Sequence, residues 1–169
     1  MERYLVIDHL KLTYEGLSNA AELFSLIQEW FHEKGWDWHE KTNQEITTAE
    51  GKQLHLILEP YKNVSDYYRL MVKITLNISN LKEVEVELDS KTIKSQQGVI
   101  RMIIDGYVLS DRKRQWDSRP FYWFLALVLE KYFYRDHFKQ FEAWLRDDID
   151  DLYDRIKSYL NAYKYTYQH

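Results

Sequence analysis

The chain has 169 residues and a mass of 20.7 kDa, so we expect residues 1–169 to form a single domain with a sizeable core. It has 23 basic and 27 acidic residues and a formal net charge of -4, which disfavours a protein whose main task is to coat nucleic acid. The absence of cysteine excludes disulfide scaffolds, thiolate metal sites and thiol nucleophiles.

The amino-terminal segment and the longest apolar run bear on the expected compartment. Asp8 and His9 lie where a secretory signal would need an uninterrupted apolar stretch, so we predict no export signal. The longest apolar run is Phe121 to Leu129, about half of the ~18 residues that cross a bilayer. The sequence therefore predicts a cytoplasmic protein with no membrane span.

A strand followed by a helix is predicted at the start of the chain. Between Tyr4 and Tyr14 apolar and polar residues alternate, which is typical of a half-buried strand, and Gly16 is predicted to end it. From Asn19 to Lys34 the apolar residues recur every three or four positions, which indicates an amphipathic helix.

An antiparallel meander is predicted next, apolar on one face. Trp36, Trp38 and Ile46 lie at even spacing, which predicts that they share one face of a strand. The segment 49–52 is predicted to form a turn into a second strand that ends near Pro60. Further alternating segments at 68–78, 84–88 and 100–108 predict three more strands, separated by turns at Asn80 and at residues 89–91.

Two aromatic-rich helices are predicted at the carboxyl end. Pro120 suits the first turn of a helix over 121–134, and a long helix is predicted from about Asp136. Its apolar stripe continues to Tyr163, which gives a helix longer than a compact domain is wide, so we expect one end to project or to meet a partner. The predicted fold class is α+β, with a curved antiparallel sheet of five to six strands packed by one amino-terminal helix and these two helices.

Acidic rows and histidines are the candidate sites for chemistry in this sequence. Glu83, Glu85 and Glu87 are interpreted as a solvated strand face that pairs with cations of neighbouring strands. The acidic run 147–154 is interpreted as a solvated or partner-facing stripe, and its tolerance of repulsion suggests a basic partner. No histidine has the spacing of a metal site, so the sequence predicts no catalytic residue, no metal and no cofactor, and favours a protein that is not an enzyme.

One basic segment combines cations with an aromatic residue. It contains Arg112, Arg114, Trp116 and Arg119 on a predicted loop, and these residue types bind phosphate and stack on bases. The segment supports an RNA-associated protein as one alternative. Equally, a basic loop on an acidic protein is expected to attract its own acidic helix or that of another subunit.

Aromatic residues are concentrated near the carboxyl end, where fifteen of them follow Arg119. Tyr122 and Trp123 belong to a run that points in every direction around a helix, so one sheet leaves part of it uncovered. Together with Trp144, Tyr159 and Tyr163, they favour an interaction or assembly module that self-associates through these helices. The alternative is a carrier of an apolar small molecule held between sheet and helices.

Two resemblances accompany these predictions. The segments 79–87 and 114–121, with Gly106, Tyr107 and the Tyr-rich tail, are similar to a group of small archaeal proteins, and this resemblance implies no activity and no site residues. The order of predicted elements is similar to helix-grip (START-like) domains, which fold a curved sheet around a helix and often hold an apolar ligand. That similarity is one of fold alone.

Overall fold

A computed structural model describes residues 3–65, 67–88, 91–110 and 135–167. Its elements, in chain order, are β1 Arg3–Ser18, α1 Ala20–Glu33, β2 Glu40–Thr48, β3 Gly51–Leu58, β4 Tyr61–Asn63, β5 Arg69–Leu88, β6 Lys91–Leu109 and α2 Arg135–Tyr167. The predicted α+β class is confirmed. The predicted helix over 121–134 and the basic loop before it lie outside the described residues.

The strands form an open antiparallel sheet of six strands. Their order is β1-β6-β5-β3-β2, and β4 pairs with the start of β5. The strand predicted over residues 68–78 is confirmed, because its alternate apolar residues are all at most 2% exposed. They share one core cluster with Ile100, Met102 and Ile104 of β6 and with both helices. The sheet thus presents one apolar face to α1 and α2.

The turn predicted at Asn80 is wrong, because β5 continues through it to Leu88. Ser79 pairs with Val99 and Lys82 with Gln97, so Asn80 and Leu81 together face Gly98 as a β-bulge. Asn80 has φ 56°, a conformation that asparagine tolerates better than most residues. A Cβ on Gly98 would lie 3.0 Å from the Ser79 carbonyl oxygen, so the neighbouring glycine leaves room for the bulge.

Two further predictions about strands are corrected. Gly16 does not end β1, which runs to Ser18, because Gly16 pairs directly with Gly98 and its φ of 147° suits a residue without a side chain. Trp36 and Trp38 precede β2 and do not share a strand face with Ile46, which is 60% exposed on edge strand β2. Trp36 instead packs on Phe31 of α1, with ring centroids 5.5 Å apart.

Helix α1 has the predicted bounds. The side chain of Asn19 caps its first turn by accepting a hydrogen bond from the Glu22 amide at 3.2 Å, and Lys34 follows as the carboxyl-terminal cap. Leu23, Ile27, Trp30 and Phe31 are buried on the side of the helix that faces the core.

Helix α2 is the long helix that the apolar spacing predicted. Phe141, Leu145, Ile149, Leu152, Ile156 and Leu160 are buried along it. Gly106 of β6 allows close approach of the helix, since a Cβ there would lie 2.8 Å from Cδ1 of Ile149. Within the described part of the chain, neither helix has the length and apolarity needed to cross a membrane.

Candidate functional site

A surface groove of about 790 Å³ runs between α1 and α2. From α1 and its capping residue Asn19 it is lined by Ala21, Glu22, Ser25, Leu26, Glu29, Trp30 and Glu33, and from α2 by Asp154, Arg155, Ser158 and Tyr159. The lining residues of α1 recur at three- and four-residue spacing, so they form the flank of the helix next to its buried stripe. The groove therefore results from packing two amphipathic helices side by side on one sheet.

Two hydrogen bonds hold the walls of this groove together. The Trp30 indole Nε1 donates to Asp151 Oδ2 at 2.8 Å, and the Tyr159 hydroxyl donates to Glu22 Oε2 at 2.9 Å. The Tyr159 hydroxyl also lies 3.2 Å from the carbonyl oxygen of Asn19, at the start of α1. These bonds join the two helices at separate points along the groove, so its width is set by the fold.

The groove is acidic. Among the residues that the structure describes, its lining has four carboxylates, those of Glu22, Glu29, Glu33 and Asp154, and one cation, Arg155. The Arg155 guanidinium is already paired, at 3.7 Å from Glu33 Oε2 and 3.3 Å from Asp151 Oδ2. An excess of negative charge therefore lies along a groove whose lining also includes apolar Leu26 and Trp30.

Trp144 lies in a second depression, of about 410 Å³, at the opposite end of α2. Its side chain is 46% exposed and packs on Phe141 with ring centroids 5.4 Å apart. Val64 and Leu70 line the depression, with Lys62, Asp147 and Asp148 around them. An exposed tryptophan among apolar and charged side chains is typical of contact surfaces.

Burial raises the pKa of the Asp148 carboxyl beside this depression. Lys62 and Lys34 act against that increase in pKa, while Asp151 and Asp147 add to it through charge repulsion. The net effect is that the Asp148 carboxyl is harder to ionise than a fully exposed one.

A third feature is a bulge in β1 that faces Asp105 of β6. Ile7 pairs with Gly106 and Leu10 with Ile104, so Asp8 and His9 together face one residue. His9 has φ 53°, and its amide donates to Asp105 Oδ1 at 2.8 Å. The His9 ring also contacts the carboxylates of Asp8 and Asp105.

The Asp8, His9 and Asp105 side chains offer ligand atoms within 4.8 Å of one another, a spacing compatible with a divalent cation. Asp105 is buried, whereas Asp8 and His9 are exposed. The hydrogen bond from the His9 amide gives Asp105 a structural role in the bulge that needs no ion. Nearby, burial and then the Asp105 carboxylate raise the pKa of Tyr107.

The structure places two of the predicted site residues. Trp144 and Tyr159 lie on α2, the first in the exposed depression and the second in the groove, where it is bonded to α1. The backbone of Tyr163 continues α2, and its side chain lies outside the described residues. The other predicted residues also lie outside them: Arg112, Arg114, Trp116, Arg119, Tyr122 and Trp123.

Sequence reasoning missed the residues that the fold brings together. Glu29 gave no signal because it is an ordinary solvent-side residue of an amphipathic helix, and only the packing of α1 against α2 brings it into one groove with Asp154. Asp8 and Asp105 did carry a signal, since each interrupts an apolar strand. No protein-family model, curated protein or solved structure matches this chain.

Proposed function

We propose that this protein is a non-enzymatic interaction module that self-associates through α2. The observation that carries the proposal is the exposure of Trp144, which is 46% accessible on a helix whose other apolar residues are largely buried. Within the described chain, only Leu5 and Ile46 are comparably exposed large apolar residues, and both lie on strands. Tryptophan is among the residues that contribute most to binding energy at interfaces.

The surroundings of Trp144 support a contact surface. Half-buried Val64 extends the apolar area, while Asp147 and Lys62 place charges at its edge. An apolar centre with a polar rim is the usual organisation of a protein–protein interface. Fewer aromatic side chains of α2 are free for an interface than the sequence suggested. Among the described residues, Phe141 is buried, and the Tyr153 hydroxyl donates to the Lys11 carbonyl oxygen at 3.3 Å.

Sedimentation velocity between about 1 and about 100 micromolar tests the proposal. We expect a concentration-dependent shift from monomer to oligomer, and Trp144→Ala should weaken association by about tenfold or more. Leu5→Ala is the matched control, because Leu5 is 51% exposed on β1 and does not line the depression around Trp144. A wild-type chain that stays monomeric throughout, or a Trp144→Ala chain that associates like wild type, would contradict the proposal.

The two other hypotheses stay predictions. RNA association depends on residues 112–119, and it is tested by binding to a mixed RNA pool at increasing salt. A carrier of an apolar small molecule is tested by native mass spectrometry of the purified chain. No observation on the described residues favours either hypothesis over self-association.

A further inference from the structure

We propose that the groove between α1 and α2 is the docking site for the basic segment Arg112–Arg119 of a second copy of this chain. The inference rests on the proposed self-association and names the surface and the segment involved. It is carried by the charge of the groove, its composition and the charge of the segment.

The groove has a clear excess of carboxylates. Among the residues that the structure describes, Glu29 and Asp154 make no ion pair, and both are exposed on facing walls. Arg155 does not offset them, because it is engaged by Glu33 and Asp151. The formal charges of the described lining residues are four negative and one positive. A cationic ligand would therefore relieve repulsion between the two helices.

The lining of the groove includes apolar as well as charged side chains. Leu26 and Trp30 line it from α1, and the volume of about 790 Å³ is large enough for several side chains of a docked segment. The Trp30 indole N–H is already satisfied by Asp151 and the ring is only 2% exposed, so half-buried Leu26 supplies most of the accessible apolar surface. A segment with cations and an aromatic residue matches this lining better than a uniformly charged one.

The segment Arg112–Arg119 has that composition. It contains Arg112, Lys113, Arg114 and Arg119 against the single acid Asp117, and Trp116 lies among them. It includes the chain's only run of three consecutive cations. Its formal charge is thus three positive, against three negative in the groove. Two copies with a net charge of -4 repel overall, so a local match of this kind is what a specific contact needs.

Docking in both directions gives a closed dimer. If each copy inserts its segment in the groove of the other, the same two surfaces are used twice and a two-fold dimer results. The contact lies on the helical side of the molecule, which also carries Trp144. The dimer should weaken as salt is raised, because opposite charges at an accessible surface are screened.

The first experiment neutralises the groove in the full chain. Glu29→Gln with Asp154→Asn keeps the side-chain shapes and removes two charges, and it should raise the dimer Kd about tenfold at low salt, as measured by sedimentation equilibrium. Glu15→Gln with Glu85→Gln removes two exposed carboxylates of strands β1 and β5 that do not line the groove, and should leave the Kd within about twofold.

The second experiment exchanges the charges. Glu29→Lys with Asp154→Lys, and separately Arg112→Glu with Arg114→Glu, should each abolish dimerisation, and a chain that carries all four substitutions should recover it. Failure of that recovery, with each reversed chain still folded by circular dichroism, would overturn the inference.

A synthetic peptide of residues 111–119 separates this inference from the broader proposal. It should bind the chain and inhibit dimerisation, and the Glu29→Gln/Asp154→Asn chain should bind it about tenfold more weakly. If the chain dimerises with an unchanged Kd in the groove variants, the docking site is wrong and self-association stands. If the wild-type chain is monomeric at every concentration, both are wrong, even where the peptide binds.

Discussion

The indole N–H of Trp30 on α1 donates to Asp151 Oδ2 on α2 at 2.8 Å, across 121 positions of sequence. Trp30 is only 2% exposed, whereas the Asp151 side chain is 45% exposed and also pairs with Arg155. The bond gives a buried donor its acceptor and at the same time fixes the two helices that form the acidic groove.

Removing that donor should destabilise the protein measurably. Trp30→Phe keeps an aromatic ring in the core but loses the hydrogen bond, so we expect a loss of about 1–2 kcal/mol in the free energy of unfolding. Trp30→Ala should cost about 3–5 kcal/mol because it also leaves a cavity. Urea denaturation measures both. In a double-mutant cycle with Asp151→Ala, a coupling energy near zero would show that the bond contributes nothing.

Gly106 should be required for the packing of α2 on β6. Gly106→Ala adds a Cβ 2.8 Å from Ile149 Cδ1 and 3.3 Å from Leu145 Cδ2, so we expect a loss of about 1–3 kcal/mol. Ile149→Val removes the clashing Cδ1 methyl and should restore part of the stability of the Gly106→Ala chain, although alone it costs about 1 kcal/mol. Additive effects of the two substitutions in thermal unfolding would argue against this contact.

The raised pKa of Asp148 predicts a pH-dependent difference between the wild type and Asp148→Asn. The pKa of Asp148 in the folded chain lies above its ordinary value of 3.8, so the folded chain binds a proton more readily than the unfolded chain. The free energy of unfolding therefore falls as the pH rises from 3.8 through the folded-state pKa. Asp148→Asn should thus have a slightly higher free energy of unfolding than the wild type at pH 7, and this difference should shrink as the pH falls towards 3.8. The difference should be small, because Lys62 and Lys34 stabilise the charged carboxylate of the wild type.

Denaturation midpoints between about pH 3 and pH 7 measure this difference. Asp150→Asn is the control, because Asp150 is exposed on the same helix. An Asp148→Asn chain that is less stable than the wild type at pH 7 would mean that the charged carboxylate is favoured by its lysine neighbours.

The bulge of β1 should depend on Asp105 more than on the His9 side chain. Asp105→Ala removes the acceptor of the His9 amide and should cost about 1–3 kcal/mol, while Asp105→Asn keeps an acceptor oxygen and should cost less. His9→Gly keeps the amide and relieves the positive φ, so stability should be unchanged or about 1 kcal/mol higher. Thermal unfolding of the three chains provides the comparison. A larger loss for His9→Gly than for Asp105→Ala would assign the main role to the imidazole.

The sequence alone predicted the elements whose burial follows a regular period. Alternation over residues 68–78 and three- and four-residue spacing in the two helices identified their buried faces, because a side chain on a strand or helix is directed by its own backbone geometry. The end of α1 was also predictable, since Asn19 and Lys34 act within one helical turn.

The tertiary structure decided the features that depend on distant neighbours. Asn80 forms a bulge and not a turn because Gly98, from the next strand, leaves room for the extra residue. The acidic groove exists because the sheet places α1 beside α2 and so brings Glu29 and Asp154 into one groove. Sequence periodicity reports which side of an element is buried, whereas the element it packs against is selected by long-range contacts.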